Sequence, residues 1–156
     1  MSTSVLTPGP RQIEPGSVEV EAAREGRFTA HLRDGRHEYL ADEPVAAGGS
    51  DRGPGPYELL LMSLGACKTM TLRLYADRKR WPLQGVRVRL RHSRIHAEDC
   101  ADCETKQGLL DHIDCVIELQ GPLDGAQRQR PLEIAGMCPV HRTLTSEIKI
   151  DSRLTP

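Results

Sequence analysis

The chain is 156 residues long, enough for one domain with its own core and no need of covalent staples. Its 21 basic side chains are balanced by 22 acidic ones, and three tyrosines, one phenylalanine and one tryptophan offer little to stack bases on, which argues against a nucleic-acid partner. No apolar run approaches the roughly 20 residues of a membrane span, and the opening MSTSVLTPGPRQIEPG lacks the basic start and apolar stretch of a secretory signal, so a soluble cytoplasmic protein with no membrane partner is expected.

Residues 1–16, with three prolines and no periodicity, read as a flexible lead-in to a single domain over 17–153. Val18 to Glu21 alternates like a strand, Glu25-Gly26 marks a turn, and Arg27 to Leu32 alternates again. Asp34-Gly35 is a two-residue hairpin signal before Arg36 to Leu40, so a three-strand antiparallel meander is expected. Asp42 to Pro56 holds three prolines and four glycines and reads as an irregular loop whose glycines permit close backbone approach to a ligand or another subunit.

The stretch from Gly53 to Arg80 predicts one long helix. Pro56 suits a first helical position, and Glu58 puts a carboxylate in the first turn. Apolar and small residues face every side from Leu59 to Ala66, the pattern of an enclosed helix, while Arg73, Asp77, Arg78, Lys79 and Arg80 give the end a wet face. Roughly 24 residues would make an axle about 36 Å long.

Beyond Trp81-Pro82, Val86 to Ile95 alternates and predicts a fourth strand added to the meander. The polar stretch His96 to Gly108 separates it from a fifth strand over Leu110 to Leu119, and the two are expected to pair. Asp124 is a plausible N-cap for a second helix through about Gly136, Pro139 opens a short third helix, and Glu147 to Ile150 reads as a last strand. The fold class is therefore α+β, with helices packed on antiparallel sheet.

Five cysteines are an odd number for a secreted disulfide framework, and in a reducing compartment conspicuous cysteines are more often catalytic, redox-sensing or metal-binding. Cys67, amid Leu, Met and Ala, has the pattern of a buried small hydrophobe. Cys138 precedes Pro139 at a helix start, where backbone N–H groups and the dipole favour a thiolate. Residue spacing alone allows the two sulfurs to meet but does not require it. His96, Cys100 and Cys103 form H-x-x-x-C-x-x-C, half of a zinc site that Cys115 or His112 could complete. An accessory dithiol, a weak metal site and two unassigned thiols all remain open for Cys100 and Cys103, whereas Cys115 fits a structural place in a strand. His141 and Arg142, within a turn of Cys138, either orient that site or cap the helix, and His31, His37 and His92 lie on strands with ordinary surface patterning.

GPGPYELLLMSLGAC, followed more than seventy positions later by CPVHRTL, resembles the OsmC/Ohr family of peroxide-reducing proteins. The similarity is greatest to the branch that reads DEP, GG, GP-x-PYELLL and HAEDCADCE in order, and it runs from about Arg36 to Ile150. The resemblance implies an OsmC-like antiparallel sheet around a long central helix, an intertwined homodimer, and reduction of organic hydroperoxides or peroxide without a cofactor. It implies Cys67 as the attacking thiol and Cys138 as the resolving one, the resulting disulfide being opened by a dithiol reductant. A thiol of ordinary pKa near 8.5 needs roughly 3.4 kcal/mol to reach about 6, more than a helix dipole gives, so a cation is required. The resemblance supplies an arginine held by a glutamate, which points to Glu58 and, among Arg33, Arg36 and Arg52, to Arg36. The rival readings are a non-catalytic module of the same fold that senses oxidant or binds metal, and a zinc-stabilised structural domain.

Overall fold

The computed structural model describes residues 13–155. Most of the expected lead-in, residues 1–12, lies outside the described residues. The chain forms two compact units, one ending at Leu59 and one beginning at Leu60.

The first unit carries the expected meander. Strands β1 (Glu19–Ala22), β2 (Ala30–Arg33) and β3 (Glu38–Ala41) form an antiparallel sheet in the order β1-β2-β3. Arg33 faces Glu19 on one side and Glu38 on the other, and its guanidinium bonds Glu38 at 3.1 Å and reaches Glu21 at 3.5 Å. The β2–β3 connection is longer than the two residues expected, because Arg33 pairs with Glu38 and leaves residues 34–37 to turn the chain. Asp34 holds that turn by accepting the N–H groups of Arg36 and His37, at 2.8 and 2.7 Å, while Gly35 takes φ 86. The loop that follows is organised by Asp42, a buried carboxylate that accepts the Thr29 hydroxyl at 2.9 Å and the Glu43 N–H at 2.8 Å. Burial opposes its charge, but the N–H of Glu43, the Thr29 hydroxyl and the N–H groups of Ser50 and Arg52 outweigh that and hold it below the usual carboxylate range. The loop glycines serve the chain itself: a Cβ on Gly53 would stand 2.2 Å from the Leu40 carbonyl oxygen, so only glycine lets the loop close on β3.

Helix α1 (Pro56–Lys79) has the predicted start and length. Glu58 accepts the Gly55 N–H at 2.8 Å, satisfying a donor just before the helix, and Arg80 at φ 55 ends it with the Trp81 N–H on Ala76 O. Pro56 to Leu59 belong to the first unit and the rest of the helix to the second.

In the second unit Leu64, Lys68, Leu72 and Ala76 form the buried stripe of α1. At i, i+4 spacing they lie on one face, and Leu72 joins Ile134 and Ala135 in a core closed by Tyr75, Trp81, Val86 and Ile117. Gly65 brings the helix against strand β4, since a Cβ there would meet Leu90 Cδ1 at 2.9 Å. The enclosed helix expected from the sequence is covered on this face only. Met62, Met70 and Leu74 project from the opposite face and are more than half exposed.

Strands β4 (Gly85–His96) and β5 (Leu109–Gln120) pair antiparallel over their full lengths in a sheet of their own. This corrects the expectation that β4 would extend the meander: the local hairpin supplies a complete ladder, and each strand has one neighbour among the described residues. The expected second helix is two, α2 (Gly125–Gln129) and α3 (Pro131–Gly136), because Pro131 has no N–H to continue the ladder. Asp124 caps α2 as predicted, in a reciprocal pair with Gln127. Helix α4 (Pro139–Leu144) follows Cys138. Residues 147–150, expected as a last strand, form none and are exposed. The whole is α+β, antiparallel sheet with a long helix, as expected.

Candidate active site

Cys67 lies half-buried on the fourth turn of α1, and Cys138 is the N-cap of α4. Both are free thiols, and Cys67 stands near enough to Cys138 to raise its thiol. The core formed by Leu72, Ile134 and Ala135 produces this approach: it fixes α3 on α1, and the chain leaves α3 directly into Cys138. The Cys138 sulfur accepts the His141 N–H at 3.3 Å, the capping bond expected of a side chain at a helix start.

Burial nevertheless decides the state of Cys138. Its exposure is 0%, and desolvation pushes the thiol up against the lowering effect of the His141 N–H, with Cys67 raising it further and Lys68 lowering it. The dipole argument read from the sequence, which favoured a thiolate at Cys138, is thereby corrected: the His141 N–H does not offset complete burial.

Lys68 was not singled out by the sequence, yet it is the one buried cation among the described residues, 5% exposed. Its ammonium donates to Ala135 O at 3.0 Å and to His141 Nδ1 at 3.3 Å. Burial and the Lys68 charge both lower the pKa of the His141 ring. The available signal was periodicity: Lys68 falls on the stripe of Leu64, Leu72 and Ala76, a position that points inward. Cys115 stands in β5 opposite Leu90, and burial raises it, with Lys68 opposing and Asp114 adding to the shift.

Glu58 and Arg36 belong to the first unit, and among the described residues no ion pair joins them. Glu58 is exposed and bound to Gly55 N–H; Arg36 lines a surface hollow with Ile13, Pro15 and Val18. Arg33 is committed to its three glutamates, Glu19, Glu21 and Glu38. Cys100 and Cys103 form a disulfide in the connection between β4 and β5, with the Asp102 carboxylate beside them. Among the described residues these three are the one group placed to hold a metal, and His96 is not part of it. Sulfurs joined to each other are not free to ligate.

Fold and site together define an α+β protein in which a long helix presents one thiol to a second thiol at a Cys-Pro helix start. The chain belongs to the OsmC-like protein family, whose sequence profile matches residues 48–153. It is similar to the solved structure of an OsmC like protein from Mycoplasma pneumoniae, with 20% identity and a TM-score of 0.63 over 82% of this chain and 85% of that one. An organic hydroperoxide resistance protein OsmC from Legionella pneumophila matches at 18% identity and a TM-score of 0.58, over 83% of this chain and 88% of that one. The organic hydroperoxide resistance protein OhrB of Bacillus subtilis matches at 20% identity and a TM-score of 0.56, over 83% and 89%. No curated protein sequence matches this chain. At these identities the likeness carries the fold, and no helix of the described chain is long and apolar enough to cross a membrane.

Proposed function

We propose that the protein is a thiol-dependent hydroperoxide reductase in which Cys67 attacks and Cys138 resolves. The carrying observation is a pair of neighbouring free thiols, one half-buried on α1 and one fully buried at the start of α4, in a chain of this family. The Cys67 thiolate attacks the terminal oxygen of ROOH; an S–O bond forms, the O–O bond breaks, and the alkoxide takes a proton and leaves as ROH. Cys138 then attacks the sulfenic sulfur, its own proton leaving with the hydroxide as water, and a Cys67–Cys138 disulfide closes. An external dithiol supplies two electrons and two protons to reopen it, and no cofactor takes part.

The neighbours named for organic hydroperoxide resistance support the substrate class, and Leu60, Leu64 and Met70 around the α1 thiol favour an alkyl chain over hydrogen peroxide. The reading includes a homodimer, since the uncovered stripe of α1 is the kind of apolar face that a second copy covers, and it keeps Arg36, held by Glu58, as a cation of the assembled site that stabilises the thiolate and the leaving alkoxide. The Cys100–Cys103 pair, joined as a disulfide here, serves as an accessory dithiol once reduced, and the compartment is the cytoplasm. The test is thiol titration before and after one equivalent of cumene hydroperoxide, with the disulfide mapped by mass. Cys67→Ser should consume no hydroperoxide, whereas Cys138→Ser should react once and leave a sulfenic acid on Cys67 that dimedone traps. A dimedone adduct on Cys138 in Cys67→Ser would reverse the roles.

A further inference from the structure

A lysine is among the residues least often buried, and when it is buried it has partners. Lys68 has two: the carbonyl of Ala135, from α3, and Nδ1 of His141, from α4. An ammonium has donors only, so Nδ1 must accept, and the neutral imidazole carries its proton on Nε2. His141 in turn gives its backbone N–H to the Cys138 sulfur. One buried charge therefore ties together α1, α3 and α4 at the point where the two thiols stand near each other.

We infer that Lys68 is the cationic positioning residue of the thiol site, holding His141 as the Nε2–H tautomer and setting the positive field in which the Cys67–Cys138 pair ionises. The inference rests on the reading of that pair as the redox centre. The ionisable groups that feel the ammonium are Cys138 and His141 at α4 and Cys115 on β5, the last with Asp114 adjacent, while Cys67 precedes Lys68 on α1 and the nearby Glu133 of α3 is exposed. The charge favours the thiolates of Cys138 and Cys115 and disfavours protonation of His141, one sign of effect on all three. The consequence for chemistry is that the site has a cation contributed from the residue after Cys67 itself, in place at the thiols before any substrate arrives.

The experiment needs no peroxide. Iodoacetamide labelling of Cys67, quantified by peptide mass as a function of pH, is compared in the full-length wild type, Lys68→Met and Lys68→Arg. Lys68→Met keeps the stem and removes the charge; its labelling rate at pH 7 should fall about ten-fold, with the profile moved toward higher pH, and Lys68→Arg should restore most of it. An unchanged profile in a folded Lys68→Met overturns the inference. Should Lys68→Met fail to fold, nitrogen-15 NMR of the unaltered protein decides: the Nε2–H tautomer of His141 supports it, and Nδ1–H overturns it. If labelling responds while wild type consumes no hydroperoxide, the positioning role stands and the peroxidase reading falls.

Discussion

Ile134 offers the most direct test of how the site is assembled. It is 3% exposed in the core against Leu72, so Ile134→Ala removes three carbon groups that are almost fully withdrawn from water. At about 0.8 kcal/mol per buried methylene the transfer loss is roughly 2.4 kcal/mol, and the residual cavity brings the expected cost to about 3 kcal/mol. The neighbouring Glu133 is exposed and holds Arg130 only at 3.9 Å, so Glu133→Ala should cost less than about 0.5 kcal/mol. Urea unfolding under reducing conditions gives both values. Because α3 leads straight into Cys138, loosening Ile134 should also slow disulfide closure after one equivalent of hydroperoxide, measured well below the unfolding midpoint. Equal costs for the two variants, or an Ile134→Ala protein that closes the disulfide at the wild-type rate, would refute the claim that this core positions the sulfur.

Three further outcomes are expected. Light scattering at micromolar concentration should give a dimer, twice the 17.3 kDa chain, and Met70→Glu on the uncovered stripe should weaken it; a wild-type monomer would end the dimer proposal. Zinc added to the oxidised protein should not be retained by Cys100 and Cys103, and after reduction any bound zinc should be lost to a chelator without loss of fold; tight stoichiometric zinc whose removal unfolds the chain would contradict this. Burial raises the Cys138 thiol, so the folded chain keeps a proton that the unfolded chain releases above about pH 8.5, and the stability contributed by the neutral thiol is present below that pH and lost as pH rises. The urea midpoint should therefore fall more between pH 8 and 10 in wild type than in Cys138→Ala, and parallel falls would show that Cys138 is not the group responsible.

The parts of this structure that were legible in the sequence are those decided locally. Pro56 and Glu58 mark the start of α1, Asp124 marks α2, and Cys138-Pro139 marks α4, because capping and fixed φ act within a turn. Pro131 was an equally local signal that should have divided the second helix. What was not legible depends on partners distant in sequence. The alternation of β4 does not say whether its neighbour is the meander or β5, and the apolar pattern around α1 does not separate a face covered by this chain from one left bare. Lys68 was passed over because lysine is ordinarily solvated; its burial depends on Ala135 O and His141 Nδ1, supplied by residues some seventy positions away.

The two thiols show why a local electrostatic argument can point the wrong way. At a helix start the Cys138 sulfur does receive an N–H, from His141 at 3.3 Å, and in an exposed setting that bond would favour the thiolate. Complete burial reverses the balance, because a single neutral donor replaces only part of the hydration that an anion loses. A buried neutral thiol is poorly suited to meet a peroxide first, since the nucleophile must be both ionised and reachable. On the proposed reading it suits the second step, since it stands near Cys67 at a helix start that the core holds in place, so little conformational entropy would remain to be lost. Cys67, half-buried and continuous with the partly exposed face of α1, has the access that the first step demands. Burial thus favours Cys67 for attack and Cys138 for resolution, the order that the motifs imply on separate grounds.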